Sequence, residues 1–227
     1  MSLGFGRWSR WIAVAGGLGY MPVAPGTAGS VGGVLLFVLL IQGLPGRVIA
    51  SQAGLIAVHA LGLLALLLLG IRAAGRAEID FGRRDDGRIV IDEVVGQWLA
   101  LSPLLWSGSS FSGGPEALPD GQSAPLLFFS EVVTGFVLFR LFDVWKPGAV
   151  RWAERRFEGG LGVMADDVVA GIHAAICLLI LQVLVFDDLQ AASVAGMAGM
   201  NAAAGAMIGT LGIFAPDLPS GSPEGAG

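Results

Sequence analysis

Charge is what this sequence has least of. Only 14% of its 227 residues are Asp, Glu, Lys or Arg, against about 25% in ordinary soluble domains. With 54% hydrophobic residues and a mean hydropathy of +0.74, it has too little polar surface to face water on all sides. That composition predicts a membrane protein. Cysteine is nearly absent. The lone Cys177 stands mid-run in Ala174-Ala175-Ile176-Cys177-Leu178-Leu179-Ile180. An internal disulfide is excluded, the basic and exposed surroundings of a nucleophilic thiol are missing, and a core position is expected. The net charge is −5, and no Lys/Arg stripe with interleaved aromatics occurs, which excludes a nucleic-acid partner. The two histidines, His59 and His173, sit singly in apolar runs and are read as structural, as is Glu131. No cleavable apolar leader follows Arg7 and Arg10, so the start reads as a retained cytoplasmic segment.

What is present is a series of six apolar runs at 28–42, 48–71, 89–106, 125–142, 166–186 and 191–214. They predict an all-α, polytopic membrane helical bundle of about four to six transmembrane or re-entrant helices. The first run is short for a span. Residues 107–124 form a Ser/Gly/Pro-rich linker without Lys or Arg. Residues 1–186 read as the main domain, and 187–227 as an Ala/Gly/Met-rich extension ending in a disordered tail. If all six runs span, 12 of the 13 Lys and Arg residues fall on or beside one face and only Arg47 on the other. The bias makes the first face cytoplasmic.

Four polar motifs lie on that same face. Asp166-Asp167 reads as the opening of the fifth helix. A helix cap uses one acid, so the second is surplus, and adjacent carboxylates repel unless a cation lies between them. Asp92-Glu93 follows Ile89-Val90-Ile91 and already enters apolar sequence; pairing with Arg88 is the bland alternative. Arg140, Asp143 and Lys146 recur at i, i+3, i+6 before Pro147, either as helix-end ion pairs or as an acid flanked by phosphate-binding cations. Ala24-Pro25-Gly26-Thr27-Ala28-Gly29-Ser30 stands just before an apolar helix, where glycines and a helix N-terminus suit an anion. Jointly, Asp92, Glu93, Asp143, Asp166 and Asp167 supply oxygen ligands and bases. An all-oxygen set favours Mg²⁺ over zinc, and a metal at the lipid boundary suits a headgroup phosphate.

Taken in order, the motifs resemble those of the phosphatidylglycerophosphatase A family. The matching residues are Pro25 to Ser30; Gly87-Arg88-Ile89-Val90-Ile91-Asp92-Glu93 with Gly96 and Trp98; Phe139-Arg140-Leu141-Phe142-Asp143-Val144-Trp145-Lys146-Pro147 with Arg151-Trp152; and Gly159 to Asp167 with Ala170-Gly171. They cover about residues 16 to 186. After Pro147 the family usually continues Trp-Pro-Ile, whereas this chain has Gly148-Ala149-Val150.

The resemblance implies a Mg²⁺-dependent lipid phosphatase of the bacterial inner membrane with its active site facing the cytoplasm. It would hydrolyse phosphatidylglycerophosphate to phosphatidylglycerol and inorganic phosphate in phospholipid biosynthesis. The expected metal ligands are Asp92, Asp143, Asp166 and Asp167. Catalysis would fall to Glu93 as general base with Asp92 and Asp143, and an aspartyl phosphate on Asp143 is the covalent variant. Arg140 and Lys146 would hold the phosphate, helped by Thr27 and Ser30. The rival classes are a small non-enzymatic cation carrier or channel using the same carboxylates, and a CDP-alcohol phosphotransferase. Carrier sites lie near mid-membrane, and the spaced phosphotransferase pattern after Asp86-Gly87 is missing.

Overall fold

The computed structural model describes residues 3–44, 51–105 and 123–186, with single positions at 199, 202 and 203. The linker, Arg47, and the sixth apolar run with its tail lie outside these, apart from the three single positions. The chain divides into two compact units, Met1–Asp188 and Leu189–Gly227. All four polar motifs belong to the first.

Seven α-helices are found among the described residues, and no strand: α1 (Leu3–Ala13), α2 (Pro25–Gly43), α3 (Gln52–Phe81), α4 (Ile91–Ala100), α5 (Ser123–Trp145), α6 (Gly148–Arg156) and α7 (Gly159–Leu181). Local chemistry sets their ends. Pro25 opens α2 after Ala24 in a left-handed conformation, the first-turn position at which proline loses no hydrogen bond. The Ser51 hydroxyl caps α3 by accepting from Gly54 N–H at 3.2 Å, and Gly82 at φ 67° closes it. Pro147 separates α5 from α6, with Lys146 left-handed at φ 48°.

Among the described residues, three helices are long and apolar enough to cross a membrane: Pro25–Gly43, Gln52–Phe81 and Gly159–Val185. α5 has 23 residues but carries Glu131, Arg140 and Asp143. Leu35, Leu39, Leu61, Leu64, Phe129, Val137, Ile176 and Ile180 are exposed along these helices. A face of this kind fits lipid and would be costly in water.

The third apolar run departs from the sequence reading. It forms a helix of ten residues followed by a tight 3₁₀ turn, Ser102–Leu105. Ten residues rise about 15 Å, half of a hydrocarbon core of about 30 Å. Pro103 cannot continue the helix. The run is apolar because α4 is enclosed by other helices. Eight of its residues are buried, including Asp92, Gln97 and Trp98. Its side chains join all three apolar clusters: Ile91, Val94 and Val95 with Ala73, Ala77 and Met164; Trp98 with Phe37 and Leu178; and Ala100 with Phe139 and Ala174.

Close approach brings the neighbouring helices onto this hub. A side chain on Gly171 of α7 would run into the backbone carbonyl of Gly96 in α4, and one on Gly96 would strike Phe139 and the Asp167 carbonyl. Gly26, Gly29 and Gly33 form a stripe on α2 facing Glu93, Val90 and Gln97. Polar links add direction. Trp98 Nε1–H donates to His59 Nδ1 at 3.0 Å, so His59 Nε2 carries the proton donated to Ser102 Oγ at 2.8 Å. His173 Nδ1–H donates to the Val169 carbonyl at 2.7 Å. Glu131 accepts from Gln182 Nε2 at 3.2 Å. Cys177 is half-buried on α7, less enclosed than the sequence suggested, because the helix turns part of that face outward.

Candidate active site

The four motifs meet where α2, α4, α5 and α7 converge. Two of them occupy different places within their helices than the sequence indicated. Gly159–Leu181 is one continuous helix, so Asp166 and Asp167 lie in its third turn and cap nothing. Three glycines disguised that start as a loop. Likewise, Pro25 to Ser30 are the first turns of α2 itself, and their glycines serve the packing against α4.

Asp92 and Glu93 sit in the first turn of α4, and the Gly96/Gly171 contact presses Asp167 of α7 against them. One carboxylate oxygen from each of Asp92, Glu93 and Asp167 lies within 4.8 Å of the other two. Asp92 and Asp167 are buried, and Glu93 is half-buried. Glu93 Oε2 and Asp167 Oδ2 are fully enclosed and have no hydrogen-bond partner among the described residues. The charge of Asp143 also bears on Glu93 and Asp167.

Arg140 faces this group of acids. Arg140 Nη1 donates to Asp143 Oδ2 and, at 3.4 Å, to Ser30 Oγ. It converges with Glu93 Oε1 on the first turn of α2, where Gly26 leaves the space open. The Ser30 hydroxyl donates to the Gly26 carbonyl at 3.0 Å, so its oxygen is an anchor for Arg140. Thr27 is half-buried in the same turn. Clustered, desolvated carboxylates need protons or a cation between them. Two unpartnered buried oxygens in an all-oxygen group are the donor set of a hard divalent ion, so these residues fit Mg²⁺.

Asp166 lies beside this group, its charge bearing on Asp92 and Asp167, and is engaged by Lys146. Lys146 Nζ donates to Asp166 Oδ2 at 2.7 Å and to Glu154 Oε1 at 3.0 Å. Burial works against the lysine charge, but the hydrogen bonds to Asp166 and Glu154 outweigh it and hold the Lys146 pKa above the ordinary lysine value. Glu154, on α6, was missed in the sequence because nothing in its spacing ties it to Lys146 across the Pro147 break. A cleft of about 300 Å³ borders this pair, lined by Glu78, Arg84, Asp85, Glu154, Phe157 and Asp166 among others.

Arg88 does not neutralise Asp92 or Glu93. It forks onto Asp86 at 2.7 and 2.8 Å and stacks over Phe81, 3.9 Å from the ring centre. The hydrogen bond from Arg88 holds the Asp86 carboxyl below its usual pKa. The pair fixes the turn into α4, where Val90 N–H donates to the Ala13 carbonyl at 2.9 Å.

Comparison with known proteins adds a second line. Residues 11–182 match the family model described as phosphatidylglycerophosphatase A. The chain is similar to phosphatidylglycerophosphatase A of Escherichia coli strain K12, at 32% identity over 72% of this chain and 77% of the relative. It is similar to phosphatidylglycerophosphatase A of Haemophilus influenzae, at 31% over 75% of this chain and 86% of the relative. It is also similar to a Bacteroides thetaiotaomicron protein named a putative phosphatidylinositol-3-phosphatase, at 35% over 74% and 90%. No solved structure matches.

Proposed function

The chain belongs to the phosphatidylglycerophosphatase A family and is an enzyme of that kind, and from that footing we propose that it removes the terminal phosphate of phosphatidylglycerophosphate by Mg²⁺-assisted direct hydrolysis. The products are phosphatidylglycerol and inorganic phosphate. The observation that carries the metal and the mechanism is the Asp92, Glu93 and Asp167 group with its two enclosed, unpartnered oxygens.

Asp92 and Asp167 would hold Mg²⁺. When bound it supplies charge neutralisation at the phosphoryl oxygens and lowers the pKa of nearby water. The protein's own groups do the rest. Arg140 holds a phosphoryl oxygen, and Asp143 and Ser30 fix its guanidinium for that contact. The first turn of α2 faces the same space with Thr27 and with the Gly26 and Thr27 N–H groups, which precede the first intrahelical bond, Ala28 N–H to Ala24. Glu93 Oε2, without a hydrogen bond among the described residues, takes the proton of the attacking water and returns it to the departing glycerol oxygen. Asp143 is engaged by Arg140, so direct attack by water is favoured over an aspartyl phosphate.

We assign the site to the cytoplasmic face of a bacterial inner membrane. The support is the bias of Lys and Arg toward the motif-bearing segments.

The relatives carry two substrate names, so the direct test is a choice between them. Purified protein is given phosphatidylglycerophosphate or phosphatidylinositol 3-phosphate in mixed micelles, and phosphate release is measured. Higher kcat/KM on the former supports the assignment; preference for the inositol lipid overturns it.

A further inference from the structure

A second cleft, of about 350 Å³, is lined by Arg7, Arg10, Trp11, Val14, Gly16, Gly17 and Tyr20. Hydrolysis at the carboxylate group makes no use of it. It is built by a fold-back. α1 ends at Ala13, Gly16 and Gly17 turn at φ 68° and 113°, and the 3₁₀ turn Ala15–Tyr20 returns Tyr20 opposite Trp11. Those φ values favour glycine.

Its position fits the lipid–water boundary. Ala13 packs with Ala73, Ala74 and Ala77, in the part of α3 beyond its apolar run, and Arg10 reaches Asp80 near the end of α3. α1 has the make-up of an interfacial helix. Ser9 and Ala13 are buried, whereas Trp8 is 73% and Trp11 62% exposed beside exposed Arg7 and Arg10. Tyr20 is also exposed. Tryptophan and tyrosine settle at headgroup depth, and arginine on such a helix meets anionic headgroups.

Both arginines are available to a ligand. Arg7 makes no ion pair among the described residues. Arg10 lies a long 3.7 Å from Asp80, whereas Arg76 holds the same carboxylate at 3.2 Å. Arg10 can therefore turn into the cleft without leaving Asp80 unpaired. Two guanidinium groups and two aromatic rings around a headgroup-sized space, in a chain whose net charge is −5, point to one class of ligand.

We propose that this cleft binds the phosphodiester headgroup of an anionic membrane phospholipid, at a site separate from the hydrolytic centre. Arg7 and Arg10 contact the phosphate, and Trp11 and Tyr20 flank the glycerol backbone. The inference does not rest on the hydrolytic reading.

The test uses the full chain in phosphatidylcholine micelles and measures quenching of tryptophan fluorescence by brominated-chain phosphatidylserine, a diester that is neither proposed substrate nor product. Brominated phosphatidylcholine is the reference. Wild type should show a saturable component about tenfold stronger for the anionic lipid, weakened by high salt. Trp11→Phe should lose that component with its reporter, and Arg7→Gln and Arg7→Gln/Arg10→Gln should lose it progressively. Arg7 is exposed and makes no ion pair among the described residues, so the single variant remains informative if the double one fails to fold. Equal quenching by both lipids in wild type, or undiminished selectivity in Arg7→Gln, overturns the proposal. Phosphate release measured on the same preparations separates this outcome from failure of the hydrolytic reading.

Discussion

Lys146 Nζ donates to Asp166 Oδ2 at 2.7 Å and so gives a cation to the acid that stands next to Asp167. Neighbours in sequence are about 100° apart around a helix, and here that angle separates an ion-paired acid from one with an unpartnered oxygen. Lys146→Met leaves Asp166 buried without its cation. Its unfolding midpoint should fall below that of the Lys146→Met/Asp166→Leu double variant, because an orphaned charge costs more than an apolar pair. Equal midpoints would contradict the pairing. Lys146 has a raised pKa, so its contribution is complete below the ordinary lysine pKa and lost only on going higher. The titration of Lys146 itself therefore adds no pH dependence across neutral pH.

Asp86 behaves in the opposite sense. Its pKa is depressed by Arg88, so the stability it contributes is present above its unfolded pKa of about 3.9 and lost as pH falls through the lower folded value. Asp86→Asn should lower the thermal midpoint at neutral pH, and the gap to wild type should close in acid. A gap that widens in acid would refute the assignment.

Gly171 is held by backbone contact. Gly171→Ala places a methyl against the Gly96 carbonyl, and overpacking of this kind costs about 1–3 kcal/mol. Activity should fall with stability, since the same contact positions Asp167. Gly87→Ala meets nothing within 4 Å and should change stability by no more than about 0.5 kcal/mol. Chemical denaturation in detergent compares the two.

Gln97 is 0% exposed, and neither amide atom has a hydrogen-bond partner among the described residues. An unsatisfied buried group costs about 1–3 kcal/mol. Gln97→Met removes both atoms at similar volume and should keep or raise the thermal midpoint. A clear drop would mean that the amide is satisfied in the folded protein.

Much of the fold and the site was legible in the sequence, for identifiable reasons. Long apolar runs marked the helices, and the two acid pairs, Asp92-Glu93 and Asp166-Asp167, marked where the structure brings carboxylates together. The true length of α4 was not legible, because a helix enclosed by other helices is as apolar as one facing lipid; Pro103 was the one local sign. The division between Asp166 and Asp167 was hidden because Gly159, Gly160 and Gly162 resemble a loop, and rotation around a helix cannot be assigned until its start is known. Glu154 and the anchoring role of Ser30 depend on contacts between elements and left no mark in spacing.

Glu93→Gln keeps the shape of the group and removes the proton acceptor. It should lower kcat by about 10²- to 10⁴-fold with KM little changed. Arg140→Ala should act mainly on KM, since Arg140 holds the phosphate. The reverse pattern would exchange their roles.

The central claim is that Asp92 and Asp167, beside Glu93, hold a divalent ion that hydrolysis requires. The measurement is Mn²⁺ binding by electron paramagnetic resonance, alongside phosphate release from phosphatidylglycerophosphate with Mg²⁺ or EDTA, for wild type and Asp167→Asn. Wild type should bind the ion and hydrolyse only when metal is supplied, and Asp167→Asn should lose both while remaining folded. Hydrolysis that persists in EDTA, or an Asp167→Asn variant that binds and turns over as wild type does, would contradict it.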